Sequence, residues 1–568
     1  VFAVVSGSTG LAAQVDQRFD LRVPMRDGVE LSANLWMPAG AGRHPVVLVR
    51  TPYIKTTASY AALGAKYAAR GYAFVVQDTR GRGDSDGKFE FFFSDAADGY
   101  DTIEWVAKQP WSNGKVGTVG GSYLATVQWL AARERPAALT CMIPQAPAGT
   151  YFNELPRIGG AWLMAWSLNW INGTSGRTAQ GGVLGETNWE RVYRHRPLIT
   201  MDDAMGRDMP IYNDFLTHST LDGYWKRIHF IDQDFEKINL PILSFTGWFD
   251  ADQRGTMRYW AGIREHSPAA NRQHIIIGPW NHGGAIRGGS TEIGEMQFSP
   301  ESVVDVTALH LDFFDYCLKG SRASFDFPRA RVYLMGSNQW RDYDAYPPKE
   351  MTPRSLFLTS GGAANTLEGD GRLGWEPPND SRPDRFSYDP ERPVPAGIGG
   401  AAQAVDHRPI ERRHDVLVYS SDVLADPVDI VGPVSVVLHA ASDARDTDFT
   451  AKLLDVHPDG RAIKLGWWDA AVIRARYRKG YDREELLTPG QVEEYQIDLG
   501  HLGHTFLPGH RIRVEISSSA YPFIAPNPNT GNPIATDTTS RVARQTVYHD
   551  RGRPSRLVLP VVPRKVIP

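Results

Sequence analysis

The chain has 568 residues, 42% of them hydrophobic and 22% charged, with a formal net charge of −4. That length exceeds one compact core and calls for roughly two to four domains. No long basic block is present, which argues against nucleic acid as the main partner, and no apolar run reaches the ~18 residues of a membrane-spanning helix.

The N-terminus reads VFAVVSGSTGLAAQVDQ, an apolar stretch followed by small residues and Leu11-Ala12-Ala13. It resembles the end of a cleaved secretory signal peptide and so implies a secreted or periplasmic protein. Otherwise residues 1–18 are a plain tail and the protein is cytoplasmic.

From Phe19 to about Ala148, short apolar runs alternate with helix-like stretches. HPVVLVRTPY, YAFVVQDTRG, KVGTVGGSY and LTCMIPQAP read as strands ending in turns. TTASYAALGAKYAARG and AADGYDTIEWVAKQP carry apolar residues at helical spacing. This alternation predicts a mostly parallel sheet flanked by helices. Residues 150–240 lose the strand pattern and read as an inserted helical cap. Trp162, Trp166 and Trp170 recur there every four residues, near one helix face.

The sheet pattern resumes at residues 241–351 with LPILSFTGWFD and QHIIIGPWNH, then a long helix ending in LHLDFFDYCLKG. Cys141 and Cys317, the two cysteines, lie in apolar runs and are expected to be buried free thiols. They are too few for a zinc cluster. Residues 352–568 change texture: SLFLTS, HDVLVYSS, PVSVVLHAAS, DFTAKLLDVHP, EEYQIDLG, HRIRVEISSS and SRLVLPVV are short strands between turns. They predict a β-sandwich of jelly-roll type. Gly361–Gly400 reads as a long loop. ASDARDTDF, at 441–449, holds three aspartates without calcium-loop spacing and reads as an exposed turn.

The strand ends carry the chemistry. In an open parallel sheet, ligands bind beyond the carboxyl ends of the strands. There stand Tyr53, Ser122, Asp250 and His282. A serine hydroxyl needs a base, and the base needs an orienting carboxylate. Ser122, Asp250 and His282 supply that set in the order Ser…Asp…His used by α/β-hydrolases. Gly120 and Ala125 are small enough for a sharp strand-to-helix turn, although Leu124 stands where G-x-S-x-G has its second glycine. The Tyr123 amide and the Tyr53 phenol are candidate oxyanion donors.

Taken together, RTPYIK, QDTRGRGDSDG, GYDTIEWVAKQPWSNGKVGTVGGSYL, GWFD and GPWNHGG closely resemble the family of cocaine esterase and α-amino acid ester hydrolases. Glutaryl-cephalosporin acylases and X-prolyl dipeptidyl-peptidases are related. The resemblance runs from about Phe19 to the C-terminus. It implies an α/β fold: an α/β-hydrolase core, an inserted helical cap and a C-terminal all-β jelly-roll domain. It also implies Ser122 as nucleophile, Asp250 as orienting acid, His282 as base, and Tyr53 with the Tyr123 amide as oxyanion hole. Ala125 departs from the glycine that relatives often have.

α-Amino acid ester hydrolases hold the substrate ammonium with a carboxylate cluster, two members of which follow the catalytic Asp as D-x-E-D. Here the run is Asp250-Ala251-Asp252-Gln253, so one acid is an amide. Asp252 and, from the cap, Glu154 are the substrate-binding candidates, with Trp166 and Trp170 for an aromatic acyl pocket. The alternative for Asp252 is a helix-start carboxylate. The expected activity is cleavage of small carboxylic esters or amides with no cofactor or metal and no nucleic-acid or membrane partner. A homo-oligomer stays open. A β-lactam acylase is the alternative. A dipeptidyl-peptidase is disfavoured because the extra N-terminal domain of the long peptidases is missing from this sequence. A non-catalytic glycan- or peptide-binding scaffold is a further alternative.

Overall fold

The computed structural model describes residues 15–178, 187–379, 381–397, 404–466 and 471–564. A ten-stranded sheet organises the core. In chain order its strands are β1 (Val15–Pro24), β2 (Glu30–Pro38), β3 (His44–Thr51), β4 (Ala73–Asp78), β5 (Ser112–Gly121) and β6 (Leu139–Gln145). They continue, after the cap, as β7 (Ile242–Phe249), β8 (Gln273–Asn281), β9 (Ala330–Leu334) and β10 (Gln339–Tyr343). Across the sheet the order is β1-β2-β4-β3-β5-β6-β7-β8-β9-β10. The strands from β3 to β9 run parallel. β1, β2 and β10 are antiparallel to their neighbours.

Parallel strands covered on both faces need apolar residues at every position, not at alternate ones. Val46–Val49, Phe74–Val76 and Ile275–Ile277 meet that need and are buried. The covering helices include α1 (Ala58–Ala69), α2 (Asp95–Ala107) and α3 (Tyr123–Arg133). β1 begins at Val15, so Val15–Arg18 belong to the sheet and not to a tail. Residues 1–14, with the signal-like stretch, lie outside the described residues.

Between β6 and β7 the chain forms the cap. It opens with a small hairpin, Arg157–Ile158 against Ala161–Trp162, before its main helix α4 (Met164–Thr174). Trp162 therefore sits in the hairpin, and only Trp166 and Trp170 share the helix. After the cap, α5 (Gln253–His266) follows β7, and α6 (His282–Arg287) follows β8. α7 (Val306–Phe314) is shorter than the sequence pattern and continues as a π-turn, Asp315–Lys319. Among the described residues, no helix is long and apolar enough to cross a membrane.

The two cysteines are not free thiols. Cys141 in β6 and Cys317 in the π-turn form a disulfide, with Cα atoms 6.3 Å apart, across 176 residues of chain. Gly117, on neighbouring β5, lets the helix come close: a Cβ there would lie 2.7 Å from Phe314 Cε1.

Among the described residues, the C-terminal domain is all-β, with twelve strands in one hydrogen-bonded network. They include β11 (Val428–Ser442), β12 (Asp448–Val456), β13 (Glu493–Phe506) and β14 (Arg511–Ser517). The segment 361–400 is not a plain loop, since Arg372–Gly374 and Asp384–Tyr388 join the sheet. Of the three 441–449 aspartates, only Asp443 is partly exposed, as expected of a turn. Asp446 and Asp448 are buried, paired with Arg476 and Arg474 at 2.8 Å each, and both accept from Asn527. Buried carboxylates need such partners, and arginines nearly 30 residues away provide them.

Candidate active site

Ser122 occupies the junction of β5 and α3 with φ 62° and ψ −127°, a conformation that costs energy for a side-chain-bearing residue. Two glycines allow it. A Cβ on Gly120, itself at φ 152°, would lie 2.6 Å from Leu124 Cβ. A Cβ on Gly121 would lie 2.4 Å from Ile286 Cγ1 of α6. Leu124 thus packs on the bare Gly120, and the His282-bearing helix seats directly beside Ser122. Gln145 fixes that seat, donating to the Ala285 and Ile286 carbonyls at 3.2 and 2.9 Å, while its own carbonyl accepts the Ser122 N–H at 2.9 Å.

Asp250 and His282 meet across β7 and β8. His282 Nδ1 lies 2.8 Å from Asp250 Oδ1. Asp250 is fully buried; its other oxygen accepts from the Thr246 hydroxyl at 2.7 Å, and Oδ1 also accepts the Asp252 N–H at 3.0 Å. Asn281 caps α6 by accepting from the Gly284 N–H at 2.9 Å, which sets the helix start at His282. The imidazole keeps 32% of its side-chain surface exposed, so a substrate can reach it.

Tyr53 follows β3. Its hydroxyl accepts from the Trp170 indole N–H at 3.0 Å, leaving its own proton free to donate. Burial raises its pKa, the Trp170 and Ser122 hydrogen bonds work against this, and the result is about 12, a neutral donor at any working pH. Trp170 also stacks on Trp166 (centroids 5.5 Å apart) and meets Phe91 edge-on at 5.4 Å. The Tyr123 phenol points away from this group; it donates to buried Asp95 at 2.6 Å. Only its backbone is available at the site.

The reason for the motif QDTRGRGDSDG is visible here. Arg82, fully buried, donates to the Pro52 carbonyl at 2.8 Å and the Thr174 carbonyl at 2.6 Å. It clamps the Tyr53 loop to the end of α4. Asp78 accepts the Lys55 N–H at 2.7 Å and anchors the other side of that loop. Gly83 leaves space for this carboxylate, since a Cβ there would lie 2.2 Å from Asp78 Oδ2. Sequence reading missed Arg82 and Thr246 as supporting residues, although the charged, glycine-rich run was a signal for the former.

The two acids expected on the substrate side differ in their engagement. Asp252 starts α5, but its side chain makes no capping bond. One oxygen lies 3.8 Å from His282 Nε2, and the other, Oδ1, is buried without a hydrogen-bond partner. Burial and the Asp250 charge raise its pKa, with His282 opposing. Burial lowers the pKa of His282, but Asp252 and Asp250 outweigh it and carry the imidazole to about 9. Glu154 is fully buried and accepts three backbone N–H groups, from Gly149 (2.7 Å), Thr150 (3.1 Å) and Gly255 (2.6 Å). Its carboxylate thereby knits the loop after β6 to the first turn of α5. Gln253 turns outward to the β-domain, donating to the His501 carbonyl at 3.0 Å and accepting the His501 N–H at 2.6 Å.

A hydroxyl on a strained turn and an imidazole held by a buried carboxylate, on an α/β sheet of this topology, define a serine hydrolase. The comparisons agree. The profile of the X-Pro dipeptidyl-peptidase (S15 family) matches residues 27–284, and that of the X-Pro dipeptidyl-peptidase C-terminal non-catalytic domain matches residues 324–558. Cocaine esterase of Rhodococcus sp. (strain MB1 Bresler) is 34% identical over 591 residues, covering 99% of this chain and 100% of its own. An aminopeptidase structure from the marine sediment archaeon Thaumarchaeota archaeon superposes with a TM-score of 0.85 at 26% identity, covering 99% of each chain. An α-amino acid ester hydrolase structure gives 0.84 at 25% identity, covering 99% of this chain and 98% of that one. The chain belongs to the cocaine esterase family of serine ester hydrolases, built from the S15 peptidase fold and its C-terminal β-domain.

Proposed function

We propose that the protein hydrolyses carboxylic esters through an acyl-enzyme formed on Ser122. The observation that carries this is the Asp250–His282 contact of 2.8 Å, beside a serine held at φ 62°. His282 takes the Ser122 proton as Oγ attacks the substrate carbonyl. The Tyr53 hydroxyl and the Tyr123 N–H stabilise the oxyanion. Collapse expels the alcohol, which receives its proton from His282. Water, deprotonated by the same imidazole, then releases the acid and restores Ser122. Trp166 and Trp170 line the acyl side. The test is turnover of a small ester panel by wild type and Ser122→Ala. Folded variant and wild type that hydrolyse the panel equally would remove Ser122 from the role.

A second reading concerns the acyl group. The free, buried Asp252 Oδ1 next to His282 is suited to a substrate ammonium, which favours α-amino acyl esters or amides. The aminopeptidase and the α-amino acid ester hydrolase among the similar structures point the same way. With Glu154 occupied by backbone amides and Gln253 by His501, Asp252 acts alone. Asp252→Asn then raises KM for an α-amino ester and leaves KM for its desamino twin unchanged, both read on the alkaline plateau of the pH profile. Equal changes in both rule out ammonium binding.

A further inference from the structure

The β-domain carries a second cluster of ionisable side chains, remote in sequence from every strand end used above. Asp455 is the penultimate residue of β12, and His457 follows two positions on, so strand alternation puts both on one face. β12 and β14 are antiparallel with Val456 opposite Arg511. His457 and His510, one residue further on each chain, therefore face one another, and their rings lie 4.6 Å apart. Asp455, His457 and His510 each bring a ligand atom within 4.8 Å of the others.

We propose that Asp455, His457 and His510 form a divalent-metal site of the two-histidine, one-carboxylate kind, suited to zinc. Imidazole and carboxylate are the ligand types that zinc takes at about 2.0–2.2 Å. Ligand atoms in a tetrahedral set lie about 3.3 Å apart, so the cluster closes by a small rotation. His457 can make it, since 30% of its side chain is exposed, and that opening also gives the metal access.

The surroundings favour loading. Asp455 already sits between two imidazoles, with His504 Nε2 at 3.1 Å and His510 Nδ1 at 2.7 Å. His504, fully buried in β13, orients the carboxylate from behind, as outer partners of metal sites do. The nearby cation, Arg461, is paired with Asp459 at 2.8 Å and Glu295 at 3.4 Å. The bound metal would join β12 to β14 at the end of the domain. The spacing Asp455-x-His457…His510 matches no short metal motif, because the third ligand arrives by strand pairing.

The experiment is a titration of the untagged, chelator-treated full chain with Co2+, followed by visible absorption, then displacement by Zn2+. One equivalent of Co2+ should give a visible band that Zn2+ removes, and Zn2+ should raise the melting temperature. His457→Ala should bind about tenfold or more weakly while its metal-free melting temperature and ester turnover match wild type. His504→Gln should bind roughly 10–100-fold more weakly. No band in wild type, or equal Co2+ affinity in wild type and His457→Ala, overturns the proposal.

Discussion

The molecule holds two sets of serine, aspartate and histidine, and both occur in the chain order Ser…Asp…His. One is Ser122, Asp250 and His282. The other is Ser381, Asp384 and His549 in the β-domain. The histidine–aspartate distances are 2.8 and 2.7 Å, and Ser381 Oγ lies only 2.6 Å from His549 Nδ1. By distance alone the second set is the better formed. It differs in everything else. Asp384 and His549 are buried in the domain, with none of the 32% exposure of His282. Asp384 is saturated by Ser360, Tyr419 and the Ala364 N–H as well as by His549. The Ser381 hydroxyl also donates to the Ser360 carbonyl at 3.1 Å. Such a network fixes chain segments. The first set instead leaves its imidazole open beside a strained serine and unspent donors. Access and unfilled hydrogen-bond capacity, more than short contacts, separate the proposed reactive constellation from the structural one.

Four substitutions press on that contrast. Ser122→Ala should lower kcat for esters by roughly 10⁴-fold or more, measured on a preparation with unchanged circular dichroism, while Ser381→Ala stays within about twofold of wild type. Loss of activity in both would erase the distinction. Asp384→Ala should cost about 3 kcal/mol or more of stability in denaturant melts, because several buried donors lose their acceptor at once. Its residual activity per folded molecule should remain that of wild type. Tyr53→Phe should reduce kcat by roughly 10²–10³-fold with little change in KM, the signature of a donor used in the transition state. An effect on KM alone would place Tyr53 in ground-state binding.

The smallest effect concerns pH. In the proposed mechanism His282 must be neutral to accept the serine proton, and its two carboxylate neighbours raise its pKa to about 9. Ester kcat/KM should therefore climb with pH through the neutral range and level off on the alkaline side. Asp252→Asn removes one of the two charges, so the acid limb should move down by roughly 1–2 units. A limb that stays in place would show that Asp250 alone sets the imidazole.

What the sequence by itself determined is what lies close along the chain or at strand ends. Apolar runs identified the parallel strands, and each strand ends where its carboxyl-terminal polar residue begins. Ser122, Asp250, His282 and Tyr53 stood out as candidates because a parallel sheet collects such ends at one edge. Gly120 and Ala125 announced the turn, and Gly120 and Gly121 leave the room that Leu124 and Ile286 fill. The tertiary structure decided contacts between residues far apart in sequence. The Cys141–Cys317 pair spans 176 residues, the burial of Asp446 and Asp448 depends on Arg476 and Arg474, and Glu154 finds its partners in the first turn of α5. Arg82 takes its role from two carbonyls, one of them 92 residues away, that surround it only in the fold. Local pattern governs which faces are apolar and where turns fall. Which polar side chain meets which is set by packing, because a buried charge or donor takes whatever partner the folded neighbours bring within about 3 Å.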